Sequence, residues 1–127
     1  MFQLDVKSRK SIYEQVVDNL KELIVSGVLK EDDKLPSVRE LSGQLTVNPN
    51  TVQKAYRELE RQGYVYTTSG LGTFVAGSRE RKRDEHKLGE VLNSLRVCIR
   101  EMNYLGLSKA EAQTEIQNLF DERRDWK

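Results

Sequence analysis

The sequence predicts a mostly α-helical protein with one small β-hairpin, and three patterns support this fold class. Ser-x-x-Glu motifs, which begin helices as capping boxes, occur at Ser11, Ser37 and Ser108. A helical pattern after Asn48 leads into two short β-prone runs separated by glycines. Between residues 88 and 102, apolar residues recur at alternating steps of four and three, which indicates a helix with a broad apolar face.

The first predicted helix follows a short N-terminal arm. Phe2, Leu4 and Val6 alternate with polar residues, so we expect an extended arm that packs on the domain. From the capping box at Ser11, helix 1 is expected to continue to about Ser26, before Gly27. Its apolar face is formed by Ile12, Val16, Leu20, Leu23 and Ile24.

A connector and a second, shorter helix come next. Residues 32–36 have turn character, and Leu35 within them is expected to fill the core. The capping box at Ser37 begins a helix from Val38 to about Leu45, and Thr46 and Val47 form a brief turn. A short helix, a brief turn and another helix together are typical of a helix-turn-helix.

The third predicted helix has a buried stripe and a polar face. Asn48 is an N-cap and Pro49 occupies the first helical position, where its missing N–H costs nothing. Gly63 ends the helix. The buried stripe is formed by Val52, Ala55, Tyr56 and Leu59, and the opposite face by Asn50, Gln53, Lys54, Arg57 and Arg61.

The β-prone runs 64–67 and 73–75, joined by residues 68–72, complete a winged helix-turn-helix. Such a third helix can lie in a DNA major groove, and the hairpin can reach the neighbouring backbone or minor groove. The alternative is an ordinary amphipathic helix with a solvated polar face.

Several short motifs, in order and at matching spacing over about residues 9–76, resemble the GntR family of bacterial transcription regulators. They lie at residues 27–29, 33–41, 48–52, 56–60 with Gly63, and 70–75. The resemblance implies a winged-helix domain that binds operator DNA as a dimer. Many relatives carry an arginine near the start of the recognition helix where this chain has Pro49, a departure that bears on the operator sequence rather than on the binding mode.

The resemblance also implies DNA contacts by Arg39 at the start of helix 2 and by the tip of the wing. Arginine can bind a guanine edge or a phosphate through two donors, and asparagine or glutamine can pair with adenine. We expect Arg57 to contact phosphate or to be solvated. The implied contacts are Arg39, Asn48, Asn50, Thr51, Gln53, Lys54, Ser69 and Gly70.

Each implied contact has a structural alternative. Arg39 could be a surface charge paired with Glu40 or a neighbour, Asn48 only a helix cap, and Thr51 only a support for the first turn. Tyr56 is most simply a core residue. Tyr64 and Tyr66 are most simply part of the packing of the wing.

The composition changes at residues 77–87, which we interpret as a basic linker or the start of a helix. Residues 78–83 carry four cations and one anion, and they either touch DNA phosphates or form a solvated hinge. The predicted organisation is therefore a DNA-binding domain at 1–76, this linker, and a helical hairpin at 88–127.

Residues 88–127 predict two helices that pack as an antiparallel hairpin. The third capping box, at Ser108, begins a helix that extends to about Arg124. About 40 residues enclose little core alone, so we expect two copies to form a four-helix dimerisation unit. Its predicted interface residues are Leu88, Val91, Leu92, Leu95, Ile99, Met102, Ile116, Leu119 and Phe120.

So short a two-helix tail resembles the YtrA-like subfamily of the GntR family. That resemblance implies a regulator, usually a repressor and often of transporter operons. It leaves open whether a small-molecule effector binds.

Composition excludes several other classes. The 127 residues carry a net charge of +1, and residues 1–77 hold ten cations and ten anions, so DNA affinity must come from charge placement and from two copies acting together. No run approaches the roughly 18 apolar residues of a membrane span, and no signal peptide is evident. The only cysteine, Cys98, excludes an internal disulfide and is expected to be buried and unreactive. We expect a cytoplasmic protein.

The sequence offers no credible nucleophile–base pair, no phosphate-binding glycine loop and no metal-ligand spacing around His86. We therefore predict no enzyme activity, no metal and no cofactor. Two other hypotheses stay open: a winged helix that docks a protein instead of DNA, and a small-molecule-binding dimer with catalytic activity in its helical bundle.

Overall fold

The computed structural model describes residues 2–81 and 83–123, which form two compact units divided at residue 82. The fold is mostly helical with one two-stranded antiparallel sheet, and it confirms the predicted class, a winged helix-turn-helix followed by two further helices. The elements are α1 (Ile12–Val25), α2 (Val38–Leu45), α3 (Pro49–Arg61), β1 (Val65–Thr68), β2 (Gly72–Val75), a 3₁₀ turn (Ser78–Glu80), α4 (Glu85–Tyr104) and α5 (Lys109–Glu122).

The three capping boxes begin α1, α2 and α5 as predicted. In each, the serine side chain accepts a hydrogen bond from the backbone N–H of the glutamate three residues later, and that glutamate accepts one from the serine N–H. These reciprocal bonds satisfy donors that the first turn of a helix leaves unpaired. The helix starts are therefore fixed by local chemistry.

The core lies between α1, α2, α3 and the sheet. Leu35 of the connector is 2% exposed, as expected for a residue that fills this core. The prediction that Tyr56 is a core residue is also confirmed, since it is 6% exposed. The other buried members are Val16, Val17, Leu20, Ile24, Leu41, Val52, Ala55, Leu59, Val65 and Val75.

A buried glutamine of α1 helps to fasten the N-terminal arm. Gln15 accepts a hydrogen bond from the Asp5 N–H at 2.6 Å and donates to the carbonyl oxygens of Asp5 and Lys10. Phe2 and Leu4 pack against the core, whereas Val6 is 84% exposed. The prediction of a packing arm thus holds for its first two apolar residues and is wrong for Val6.

The wing is a hairpin to which the connector adds a third backbone segment. β1 and β2 pair antiparallel, with Val65 opposite Val75 and Thr68 opposite Gly72. Lys34 forms an isolated antiparallel bridge with Phe74, and the Leu35 N–H donates to the Thr73 carbonyl at 2.8 Å. The connector, which the sequence indicated only as a turn, therefore also pairs with backbone groups of β2 on the side that does not face β1.

The C-terminal unit is a pair of contacting helices joined at residues 105–108. The Leu107 N–H donates to the Met102 carbonyl at 3.1 Å, and Gly106 has a φ of 92°, as is common where a helix ends. α5 ends at Glu122 and is followed by Arg123 in an extended conformation, so the predicted end near Arg124 was about two residues too late.

No residue of α4 or α5, within their described ranges, is buried. Cys98 is exposed, so the prediction of a buried thiol is wrong for a single chain. No helix among the described residues is long and apolar enough to cross a membrane.

Candidate nucleic-acid interface

The turn between α2 and α3 is held by backbone geometry and one buried hydroxyl. Thr46 adopts a left-handed conformation with a φ of 55°, and the Val47 N–H donates to the Ser42 carbonyl at 3.0 Å. The Tyr56 hydroxyl donates to the Pro36 carbonyl at 2.6 Å, and burial raises its pKa, so it stays a neutral donor. This bond ties the middle of α3 to the residue just before the α2 cap.

Arg39 is exposed in the first turn of α2. Its neighbour Glu40 turns back to the cap, where the Ser37 backbone hydrogen bond is the main cause that lowers the pKa of this carboxyl. Within residues 2–81 and 83–123, the Arg39 guanidinium makes no ion pair, so the alternative of a pair with Glu40 is not what the structure has. The guanidinium is available to an external anion.

The first turn of α3 is capped as the sequence predicts. The Asn48 side-chain oxygen accepts a hydrogen bond from the Asn50 N–H at 2.8 Å, and Pro49 follows at the first helical position. Asn48 and Asn50 are both exposed. The cap uses the side-chain oxygen of Asn48. The side-chain NH2 group of Asn48 has no hydrogen-bond partner in the described part of the chain, so capping and DNA contact are compatible.

Further along α3, the predicted contacts differ in their surroundings. Thr51 and Gln53 are half-buried, whereas Lys54 and Arg57 are exposed. The Lys54 ammonium lies 5.2 Å from the centre of the Tyr13 ring, at the start of α1. This cation–π contact, worth about 0.5–1 kcal/mol at an exposed site, holds Lys54 at the surface without neutralising it.

The C-terminal end of α3 carries a cation that is already paired. Arg61 forms a salt bridge with Glu58 at 2.5 Å, and Gln62 also donates to that carboxylate. The Arg61 bond is the largest cause that lowers the pKa of Glu58 to about 2. Arg61 is therefore less available to DNA than Arg57, four residues earlier.

The wing presents its tip to solvent and is anchored at its base. Ser69 and Gly70 lie in the exposed turn, where Gly70 has a φ of 79° that favours glycine. Tyr66 stacks on Phe74 with ring centres 5.5 Å apart, and its hydroxyl donates to Asp32 at 2.7 Å. The prediction that Tyr66 belongs to the packing of the wing is confirmed.

In the basic segment after the wing, Arg81 lies 4.8 Å above the Tyr64 ring, within the N-terminal unit. Ser78–Glu80 form a short 3₁₀ turn. Lys82 lies outside the described residues. Arg81 therefore packs on the N-terminal unit and is not a freely solvated part of a linker.

The structure thus brings Arg39, the first turns of α3 and the wing into one compact unit. Two residues that contact the candidate interface were assigned no part in it from the sequence. Tyr13 contacts Lys54, and the side chain of Lys34 lies against Gly72. For Lys34, the sequence indicated only that its side chain points outward, because the neighbouring Leu35 was predicted to point into the core. Among the residues described, no cluster of three His, Cys, Asp or Glu side chains is arranged to hold a metal.

Comparison with known proteins decides the family. The model described as "Bacterial regulatory proteins, gntR family" matches residues 12–75. The chain belongs to the GntR family. This membership confirms the resemblance seen in the sequence and makes the protein a DNA-binding transcription regulator, not an enzyme.

A near full-length relative supports the assignment of this chain to the GntR family. It is 42% identical over 119 residues to the HTH-type transcriptional repressor YtrA of Bacillus subtilis (strain 168), covering 94% of this chain and 92% of that protein. This near full-length match confirms the resemblance to the YtrA-like subfamily.

Two solved structures extend the comparison. A transcriptional antiterminator from Listeria monocytogenes EGD-e has a TM-score of 0.73 and 43% identity, over 96% of this chain and 88% of that one. AraR(DBD) in complex with operator ORE1 has a TM-score of 0.52 and 34% identity, over 60% of this chain and 93% of that one. A relative of the N-terminal unit has therefore been solved with an operator.

Proposed function

We propose that this GntR-family regulator is a cytoplasmic repressor that binds a near-palindromic operator as a homodimer. The observation that carries the proposal is the exposed start of α3, with its amide and cationic side chains, together with the exposed Arg39 of α2, which makes no ion pair within residues 2–81 and 83–123. The name of the Bacillus relative supports repression. The YtrA-like resemblance supports an operon that encodes a transporter as the target.

The proposed contacts divide by chemistry. Arg39 and the amide side chains can read base edges, whereas Lys54 and Arg57 supply charge to phosphates. Ser69 and Gly70 would enter the adjacent groove, because the small residues at these two positions let the turn approach the DNA backbone closely. The full proposed set is Arg39, Asn48, Asn50, Thr51, Gln53, Lys54, Arg57, Ser69 and Gly70.

The homodimer is supported by the exposed apolar surface of α4 and α5. Val91, Leu95 and Leu119 are 51%, 45% and 60% exposed, although their spacing is that of a packing face. Exposed apolar surface of this extent is rare on a protein that acts alone. The remaining interface residues of the proposal are Leu88, Leu92, Ile99, Met102, Ile116 and Phe120.

Dimerisation would also account for the charge balance. One winged helix of net zero charge has little non-specific attraction to DNA, whereas two linked copies add their binding free energies on adjacent half-sites. A twofold dimer imposes its symmetry on the operator, which is why a near-palindrome is expected.

The test is selection of bound sequences from a random duplex pool, followed by light scattering of the complex. Enrichment of a near-palindrome held by two chains is the expected result. A folded protein that enriches no sequence would contradict the proposal and favour the alternative, a winged helix that docks another protein.

A further inference from the structure

Lys34 of the connector lies beside β2 of the wing. Its backbone bridges Phe74, and its side chain runs along Gly72, where an added Cβ would lie 2.8 Å from Lys34 Cε and 3.7 Å from Nζ. Gly72 also has a φ of 127°, which residues other than glycine rarely adopt. The glycine therefore provides both the turn into β2 and the space that the lysine stem occupies.

Lys34 also lies close to α2 along the chain, three residues before the Ser37 cap. Glu40 owes its lowered pKa first to the Ser37 hydrogen bonds, and the positive charge of Lys34 is a smaller contribution in the same direction. Glu40 adjoins Arg39 in the first turn of α2. Lys34 thus lies between the two parts of the proposed surface that α2 and the wing supply.

The ammonium of Lys34 is exposed, and it forms no ion pair within the part of the chain that the structure describes. An aliphatic stem that lies against a backbone, with an exposed ammonium beyond it, suits a phosphate contact, since lysine acts as a mobile point charge. A role confined to packing would need only the stem.

We propose that Lys34 is a further DNA contact, whose ammonium binds a backbone phosphate between the groups reached by Arg39 and by the wing. This inference rests on the proposed function. A phosphate contact carries no sequence information of its own, but it fixes the position of the protein on the duplex. Lys34 would therefore set the orientation in which Arg39 and the wing meet their grooves.

The test measures operator affinity against salt concentration for the unsubstituted protein, Lys34→Met, Lys34→Arg and Lys21→Met. Methionine keeps the stem and removes the charge, and arginine keeps the charge. Lys21 is the matched control, because its ammonium lies 5.3 Å from the Tyr64 ring, beyond the C-terminal end of α3.

We expect Lys34→Met to reduce the steepness of log affinity against log salt by about 1.8, because the dimer loses two phosphate contacts that contribute about 0.9 each. That difference makes binding about 60-fold weaker at 0.1 M salt, taking equal affinities at 1 M. Lys34→Arg and Lys21→Met should keep the original slope. An incompletely folded fraction would weaken binding equally at every salt concentration, so the slope separates a lost contact from lost structure.

An unchanged slope for Lys34→Met, on an operator that the unsubstituted protein binds, would overturn the Lys34 contact and leave the proposed function standing. An equal loss in Lys21→Met would overturn it as well, because net charge would then explain the effect. Absence of any selected operator for the unsubstituted protein would instead overturn the proposed function, and this inference with it.

Discussion

At the scale of single residues, the candidate interface is set by which cations lack a partner inside the protein. Arg61 is paired with Glu58, and Arg81 lies over Tyr64, whereas Arg39 is exposed without an ion pair among the described residues. A paired arginine must give up its bond before it can bind DNA, and this cost offsets the gain. Arg39 is therefore a stronger candidate for DNA contact than Arg61 or Arg81.

Replacing Arg39 by alanine should weaken operator binding by about 1–3 kcal/mol for each half-site, as expected for loss of a two-donor contact with a guanine in each. Binding to unrelated DNA should change much less. Fluorescence anisotropy with the selected operator and a scrambled duplex measures both. Lys21→Ala is the control, and unchanged operator affinity in Arg39→Ala would remove Arg39 from the interface.

The sequence predicted individual contacts only as far as local motifs reach. Arg39 and the residues at the start of α3 were predicted from the resemblance of short motifs to the GntR family, and their positions on helices from the capping box and the N-cap. The roles of Lys34 and Tyr13 depend on contacts with Gly72 and Lys54, about 40 positions away in each case. Pairings of that range arise from the folded chain and leave no periodic signal.

At the scale of secondary-structure elements, the start of α3 combines a structural and a proposed binding role in one residue. The side-chain oxygen of Asn48 caps the helix. The side-chain NH2 group of Asn48 is the part that could contact DNA. Substitutions that preserve one function and remove the other can therefore separate them.

Asn48→Ser should keep the cap and leave the free energy of unfolding nearly unchanged, whereas Asn48→Ala should lower it by about 1 kcal/mol. Both should weaken operator binding, since neither retains the amide. Urea unfolding and operator titration of the two variants provide the measurements. If Asn48→Ser bound the operator as tightly as the unsubstituted protein, Asn48 would be a cap only.

Element boundaries were predicted well where the sequence carries its own start signal. Ser11, Ser37 and Ser108 each begin a helix at the expected position, and Asn48 with Pro49 does the same for α3. The wing strands were predicted about one residue off, because β pairing is set by cross-strand register. The bridge from Lys34 to Phe74 was missed for the same reason.

At the scale of the whole molecule, the N-terminal unit has a buried core, and the described part of the C-terminal unit does not. All of the buried hydrophobic residues found in the described chain lie at or before Ala76. The exposure of Cys98 has the same origin as that of Leu92 and Ile99, since all three lie on α4, which buries no residue within one chain. A second copy would supply the missing partner surface.

Leu95→Glu should convert the protein to a monomer with a folded winged helix. Each substitution counts twice across a twofold interface, and a carboxylate there would lose its water without gaining a partner. Light scattering at micromolar concentration should show half the mass of the unsubstituted protein. Asn93→Glu, on the opposite side of α4, adds the same charge and should leave the mass unchanged.

Equal masses for Leu95→Glu and the unsubstituted dimer would place the interface elsewhere on the chain. Loss of the dimer in both variants would show an effect of charge rather than of the apolar face.

The most direct test of the central claim compares affinity and stoichiometry on the full selected operator and on one half of it. A homodimer with two winged helices should bind the full site as two chains, and roughly 100-fold or more tighter than the half-site, because the second contact is intramolecular. Equal affinity for both duplexes, with one chain on each, would contradict the account.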